Sequence, residues 1–142
     1  AYLVIDTHPS GLLQELAMRV ADVVIAPVRL EALAMDGVAA TLQLVREVGR
    51  PRQVILLPTM VDERLTVQRA HLRLLQEAYP GQVAQPIPLR AAVAEGHGDG
   101  RTVWEQRGRK AQLTPVRTAY AQLVAWVSTP AEAVLFGPEG VR

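Results

Sequence analysis

Apolar positions fall into two alternating patterns along this chain. Four short runs, at residues 2–6, 23–28, 53–57 and 83–88, are continuously apolar and lack the every-second-residue alternation of a half-buried strand. Such runs predict strands covered on both faces, as in a parallel sheet. Between them, apolar residues recur at helical spacing. Residues 12–20 form one such segment, with Ser10 as its N-cap candidate. Residues 33–48 form a second, with Val38, Leu42 and Val45 on one face and Gly49-Arg50-Pro51 as the stop. Residues 67–79 form a third, which aligns Leu72, Leu75 and Tyr79 and ends at Pro80-Gly81.

This alternation predicts βαβ units with right-handed crossovers: an α/β domain whose layered, mostly parallel sheet has about four strands and flanking helices. After Pro88 the pattern changes. A short helix at 91–95 leads into Gly96-His97-Gly98-Asp99-Gly100, which reads as a mobile loop. A last amphipathic helix spans 115–127, with Pro115 at its first position and Val116, Tyr120, Leu123 and Val127 as its stripe. Residues 1–128 then form one α/β unit, and 129–142 an irregular tail. No internal repeat is present.

Composition narrows the class. With 142 residues, 49% of them apolar, the chain can build one real core. Its 15 Lys+Arg against 14 Asp+Glu give no electrostatic argument for a nucleic-acid or membrane partner. Fourteen of the basic residues are Arg and only Lys110 is Lys, a bias that GC-rich coding explains as readily as function. The absence of cysteine excludes disulfides, thiolate metal sites and a Cys nucleophile. No apolar run approaches the ~20 residues that span a bilayer, and the first residues lack the basic flank of a signal peptide. A soluble, cytoplasmic protein is expected. Opening directly on a strand-like run is also the pattern of a chain that has lost its front half.

The segment Leu3-Val4-Ile5-Asp6-Thr7-His8-Pro9-Ser10 carries the most chemistry. A carboxylate at the C-terminal end of a rigid strand can hold magnesium, directly or through water, at the edge where open α/β sheets bind ligands. The same residue could simply cap the following turn. Three further segments follow in order: Val24-Ile25-Ala26-Pro27-Val28 with Glu31 to Gly37; Leu56-Leu57-Pro58-Thr59-Met60-Val61-Asp62-Glu63-Arg64; and Ile87-Pro88 with Ala94-Glu95 and a Gly-rich loop. Together, over residues 2–127, they resemble the ParA/MinD/Soj group of deviant-Walker partition ATPases, with residues 3–10 matching its Walker B region.

That resemblance implies roles for particular residues. Asp6 would be the catalytic and metal-holding carboxylate. Thr7, Thr59, Asp62, Pro88 and Arg90 would border the nucleotide, and Arg64 would face DNA. It implies ATP and Mg2+ as cofactors of the intact family, and a homodimer, a partition partner protein and nonspecific DNA as partners. The departures matter as much. His8 replaces a proline, Leu89 stands at the family's Arg, and Ala92 stands where a second basic residue is expected. No Gly-Lys-Ser/Thr phosphate loop occurs: Gly108-Arg109-Lys110-Ala111 lacks its spacing, and Phe136-Gly137-Pro138-Glu139-Gly140 lacks its lysine. In the family that loop and a second acidic motif lie upstream of the Walker B segment. ATP binding or hydrolysis is therefore not expected of this chain alone.

The phosphate-loop strand of such folds lies between the counterparts of 2–6 and 23–28. Those two strands pair directly, another chain fills the gap, or these residues are part of something larger, because each unpaired backbone group in a core costs ~1–3 kcal/mol. Plainer readings stand beside these. Thr59 and Asp62 could form a turn and the N-cap of a helix beginning near Thr66, and Arg64 could be a solvated surface residue, since one Arg is a weak DNA contact. His8, His71 and His97 show no metal spacing, and His71 is expected to be exposed. Neither Ser10 nor Ser128 sits in a nucleophile elbow. The reading is the C-terminal part of a ParA-like ATPase for chromosome or plasmid partition or cargo positioning. The alternative is a stand-alone, non-enzymatic α/β interaction module, and a third reading, a flavodoxin-like phosphate binder, lacks a Gly-rich first loop.

Overall fold

Five consecutive residues, 54–58, are buried without a break, and the rest of the chain is arranged around them. The computed structural model describes residues 2–8, 11–31, 34–49 and 51–129. Its elements are α1 (Leu12–Val20), β1 (Val23–Val28), α2 (Ala34–Val48), β2 (Gln53–Pro58), α3 (Thr66–Ala78), α4 (Ala91–Gly98) and α5 (Lys110–Ser128). β1 and β2 pair in parallel, Val23 opposite Gln53 through Val28 opposite Pro58. Successive side chains of β2 point to opposite faces. Val54 and Leu56 join a core with Met18, Val38, Leu42, Val45 and Leu75 from α1, α2 and α3. Ile55 and Leu57 join a second core with Val116, Ala119 and Leu123 of α5. The result is a mixed α/β fold in which helices pack on both faces of a two-stranded parallel sheet.

The far edge of β2 is also used. The Leu56 N–H donates to the Gln82 carbonyl and the Ala84 N–H to the Leu56 carbonyl, both at 2.8 Å. Further along, the Ile87 N–H reaches the Pro58 carbonyl at 2.8 Å and the Leu89 N–H the Val61 carbonyl at 2.9 Å. Residues 83–88 thus run parallel to β2 without forming a regular strand, with one isolated bridge to it at Leu56–Val83 and one to the turn beyond it at Val61–Pro88. Pro86 and Pro88 have no N–H to donate, which breaks a regular ladder. The expected strand there is an irregular rib.

The expected strand at 2–6 does not form. Residues 2–8 carry no strand pairing and, among the described residues, no hydrogen bond to the sheet. Leu3 and Val4 are each 87% exposed. The regular sheet therefore has two strands rather than about four. Neither direct closure onto β1 nor a filled gap is seen: the outer edge of β1 is unpaired among the described residues, and Ile25 is 41% exposed. Because this edge opens to water, its backbone groups escape the penalty of a dry gap. The cost shifts to uncovered apolar surface. α1 shares in it, burying Met18 while Leu12, Leu13, Leu16 and Val20 face outward.

The helix boundaries hold at α1, α2 and α3 to within a residue, and the stops of α2 and α3 have their expected causes. Gly49 (φ 67°) and Gly81 (φ 74°) take the left-handed conformation that ends a helix or turn. The cap of α1 is Gly11, and Ser10 lies outside the described residues. Two C-terminal expectations need correction. α4 continues to Gly98, because the Asp99 N–H closes on the Glu95 and Gly96 carbonyls at 3.1 and 3.2 Å. α5 begins at Lys110, so Pro115 lies inside it rather than at its first position. Pro115 removes one bond to the Ala111 carbonyl, but Ala111 is exposed and Leu113 is fully buried. Burying that leucine is worth about 1.5–3 kcal/mol, which offsets the break. The expected tail lies almost wholly outside the described residues. Among the described residues, no helix is long and apolar enough to cross a membrane.

Truncation of Leu75 or Leu113, each 0% exposed, to alanine is expected to lower stability by about 2–5 kcal/mol. Leu12→Ser and Leu16→Ser should each shift it by no more than about 0.5 kcal/mol. Urea unfolding followed by circular dichroism measures both.

Candidate functional site

The C-terminal end of β2 is where four of the sequence-selected residues, Thr59, Asp62, Pro88 and Arg90, come together. Beyond Pro58 the Thr59 N–H still donates to the Val28 carbonyl at 2.9 Å, so the turn begins tied to β1. Met60 adopts φ 54°, left-handed for a residue with a side chain, a conformation that persists only where its surroundings enforce it. The enforcement is visible on the next residue. The Val61 N–H bonds the Ile87 carbonyl at 3.0 Å and its carbonyl accepts from Leu89. A turn pinned on both sides therefore sets Thr59 and Asp62 on the same sheet edge as Pro88 and Arg90.

Asp62 is already engaged. Its Oδ1 accepts from the Arg64 backbone N–H at 3.1 Å and from Arg64 Nε at 2.9 Å, and its Oδ2 accepts from Arg64 Nη2 at 2.7 Å. The Asp62 N–H donates to Gln68 Oε1 at 2.8 Å. These bonds to Arg64 hold the carboxyl at about 2, below its ordinary 3.8, with a smaller contribution from the Arg90 charge. The cap of α3 is Leu65, with no side-chain capping bond. Asp62 therefore closes a local turn onto Arg64 and does not cap the helix. A base contact from Asp62 would have to compete with a bidentate guanidinium. Arg64 itself remains largely exposed, its side chain 87% accessible.

The other sequence-selected positions vary. Pro88 is half-buried and bridges Val61. Arg90 stands at the cap of α4 and donates from Nη1 to the Leu89 carbonyl at 2.8 Å. Leu89 is half-exposed. Ala92 is fully buried and its N–H meets Gln112 Oε1 at 3.3 Å, so a basic side chain would have no room there. Asp6 is exposed and Thr7 half-buried, both on the unpaired segment 2–8. No hydrogen bond or ion pair among the described residues joins that segment to the Thr59–Asp62 edge. His71, expected to be exposed, is half-buried, with Nδ1 3.2 Å from the Leu30 carbonyl. The Met60 conformation has no signature in periodicity, since it goes with hydrogen bonds that the turn makes to distant segments.

The edge carries apolar surface from Met60 and Leu89 beside polar groups, which can border a base. Lys110, the sole lysine, opens α5 behind a single Gly108 and sits in no Gly-rich backbone cradle. Among the described residues, no group of three His, Cys, Asp or Glu could hold a metal.

No family model matches the chain. It is similar to Protein IncC of Escherichia coli, with 32% identity over 108 residues, covering 71% of this chain and 30% of that protein. A second Escherichia coli Protein IncC is 31% identical over 107 residues, covering 71% and 29%. The chain thus spans less than a third of the length of the curated relatives it matches.

The Asp62 carboxyl, depressed to about 2, stabilises the fold at pH values above its unfolded pKa. That contribution is lost as the pH falls from about 4 toward 2. Asp62→Asn should therefore lower the melting temperature at pH 6 and leave it unchanged near pH 2. In Arg64→Ala, titration followed by NMR should return the Asp62 midpoint toward about 4.

Proposed function

We propose that the chain is the Walker B-bearing, C-terminal part of a ParA-type partition ATPase. The observation that carries this reading is the ordered set of four segments from Asp6 to Glu95. The likeness to Protein IncC supports it and points to a partition system. So does the convergence of Thr59, Asp62, Pro88 and Arg90 on one edge of a parallel sheet, where ligands of such sheets bind.

In this reading Asp6 belongs with the magnesium of a bound ATP, and Thr7 lies beside it. Pro88 and Arg90 border the base, with Thr59 and Asp62 shaping the turn beneath it. Arg64 is the DNA-facing candidate, although its guanidinium is shared with Asp62. A homodimer and a partition partner protein belong to the same reading, as does a cytoplasmic location. Phosphoryl transfer is mostly positioning and charge stabilisation. The chain by itself offers no lysine-bearing Gly-rich loop for the phosphates, so ATP turnover needs residues beyond these 142.

One observation favours the second reading, an α/β interaction module without enzymatic activity. The outward apolar residues of α1 and the unpaired edge of β1 form a surface suited to protein contact. The discriminating experiment compares the 142-residue chain with the product of its complete coding region. The ATPase reading expects magnesium-dependent ATP turnover in the full product, abolished by Asp6→Ala, and none in the 142-residue chain. If magnesium-ATP neither turns over nor shifts the melting of the full product, the interaction module is correct.

A further inference from the structure

We propose that Gln68, in the first turn of α3, is a positioning residue for nucleotide binding. It holds the backbone of Asp62, and through it the sheet edge, without touching the nucleotide, a role that rests on the reading of this edge as the border of the base. The backbone groups of the turn find their partners in two different ways. The Thr59 and Val61 N–H groups go to the carbonyls of Val28 and Ile87, at 2.9 and 3.0 Å. The Asp62 carbonyl accepts from the Leu65 N–H at 3.0 Å. The Asp62 N–H, by contrast, is met by a side chain: it donates to Gln68 Oε1 at 2.8 Å, six residues along.

Asp62 and Gln68 are both half-buried, so little water competes for this bond. Gln68 is the third residue of α3. From that position the Gln or Glu of a capping box reaches back to the N–H of its own cap residue. Here the cap is Leu65, which makes no side-chain capping bond, and Gln68 reaches past it to Asp62. The helix beneath is anchored, since Leu75 is fully buried and Leu72 packs against the same core. Gln68 therefore ties the turn to α3, while Val61 ties it to residues 87 and 89. Both ties follow directly on Met60, whose left-handed φ of 54° persists only where its surroundings enforce it. Without the amide oxygen the Asp62 N–H is left half-buried and unpaired, and the turn is free to leave the edge it shares with Pro88 and Arg90. Only an acceptor can serve there, because Asp62 presents a donor. A contact to the base is made alike in the ground and transition states, so its loss raises KM and leaves kcat in place.

The test is steady-state kinetics with magnesium-ATP on the product of the complete coding region. Gln68→Met, close in size but without a comparable acceptor, should raise KM about fivefold, the worth of one hydrogen bond, with kcat unchanged. Gln68→Glu keeps an acceptor oxygen and should recover most of the wild-type KM. A substitution that only destabilised the fold would lower the active fraction, and so the apparent kcat, at constant KM. Melting curves check that each variant is folded. A second readout needs no nucleotide: hydrogen exchange of the 142-residue chain followed by NMR. The Asp62 amide should be protected in the wild type and in Gln68→Glu, and should exchange about fivefold faster or more in Gln68→Met. The positioning role alone is overturned if Gln68→Met leaves KM or the Asp62 exchange rate unchanged, or if Gln68→Glu behaves as Gln68→Met does. A wild-type product that neither binds nor turns over magnesium-ATP overturns the reading of the edge, and the positioning role with it, even where the Asp62 amide is protected.

Discussion

The burial of β2 on both faces, with both of its edges bonded, is the constraint on which the rest of the molecule depends. Val54 and Leu56 serve one core while Ile55 and Leu57 serve the other, so one six-residue strand is shared by every helical layer. A strand in that position has no solvent to satisfy its backbone, and its neighbours must do so. β1 supplies one edge and the rib at 83–88 supplies the other. This is why an irregular, proline-containing segment is held in place although it forms no regular ladder. The end of the same strand then dictates the turn at 59–62, whose bonds to Val28 and Ile87 impose the left-handed Met60.

The other side of β1 presents the opposite case. Its apolar residues are as strand-like as those of β2, yet its outer edge and the apolar segment 2–6 remain apart. An apolar β-rich run measures how much burial a segment would gain, whereas a strand also needs a bonded neighbour within reach. The uncovered surface here is concentrated on α1, the segment 2–6 and Ile25. That concentration sits beside a second fact, that the matched relatives are more than three times as long as their shared region.

The candidate site shows how local chemistry modifies what a motif implies. Asp62 and Arg64 occupy motif positions that the resemblance assigns to base and DNA respectively, but they satisfy one another through two side-chain bonds and one backbone bond. The pair's Arg64 end is exposed, 87% of that side chain being accessible against 15% of Asp62, so solvent screening keeps its contribution to stability modest. Its effect is rather to fix the turn and to bias which groups are available to a ligand. Ala92 illustrates the same logic: at full burial, the position has no space for the basic side chain that the resemblance leads one to look for.

By itself the sequence determined the α/β class, the three helices α1, α2 and α3 with the glycine stops of α2 and α3, and the buried character of β2. These are readable because periodicity and turn chemistry act over a few residues. Only the tertiary structure decided which apolar runs pair. It turned 83–88 into a rib, left 2–6 unpaired, extended α4 through Gly98 and α5 back to Lys110, and engaged Asp62 with Arg64. Each of these depends on a partner that local pattern does not encode: a neighbouring edge, the burial of Leu113 that offsets a proline in mid-helix, or a guanidinium two residues away turned back on its own loop.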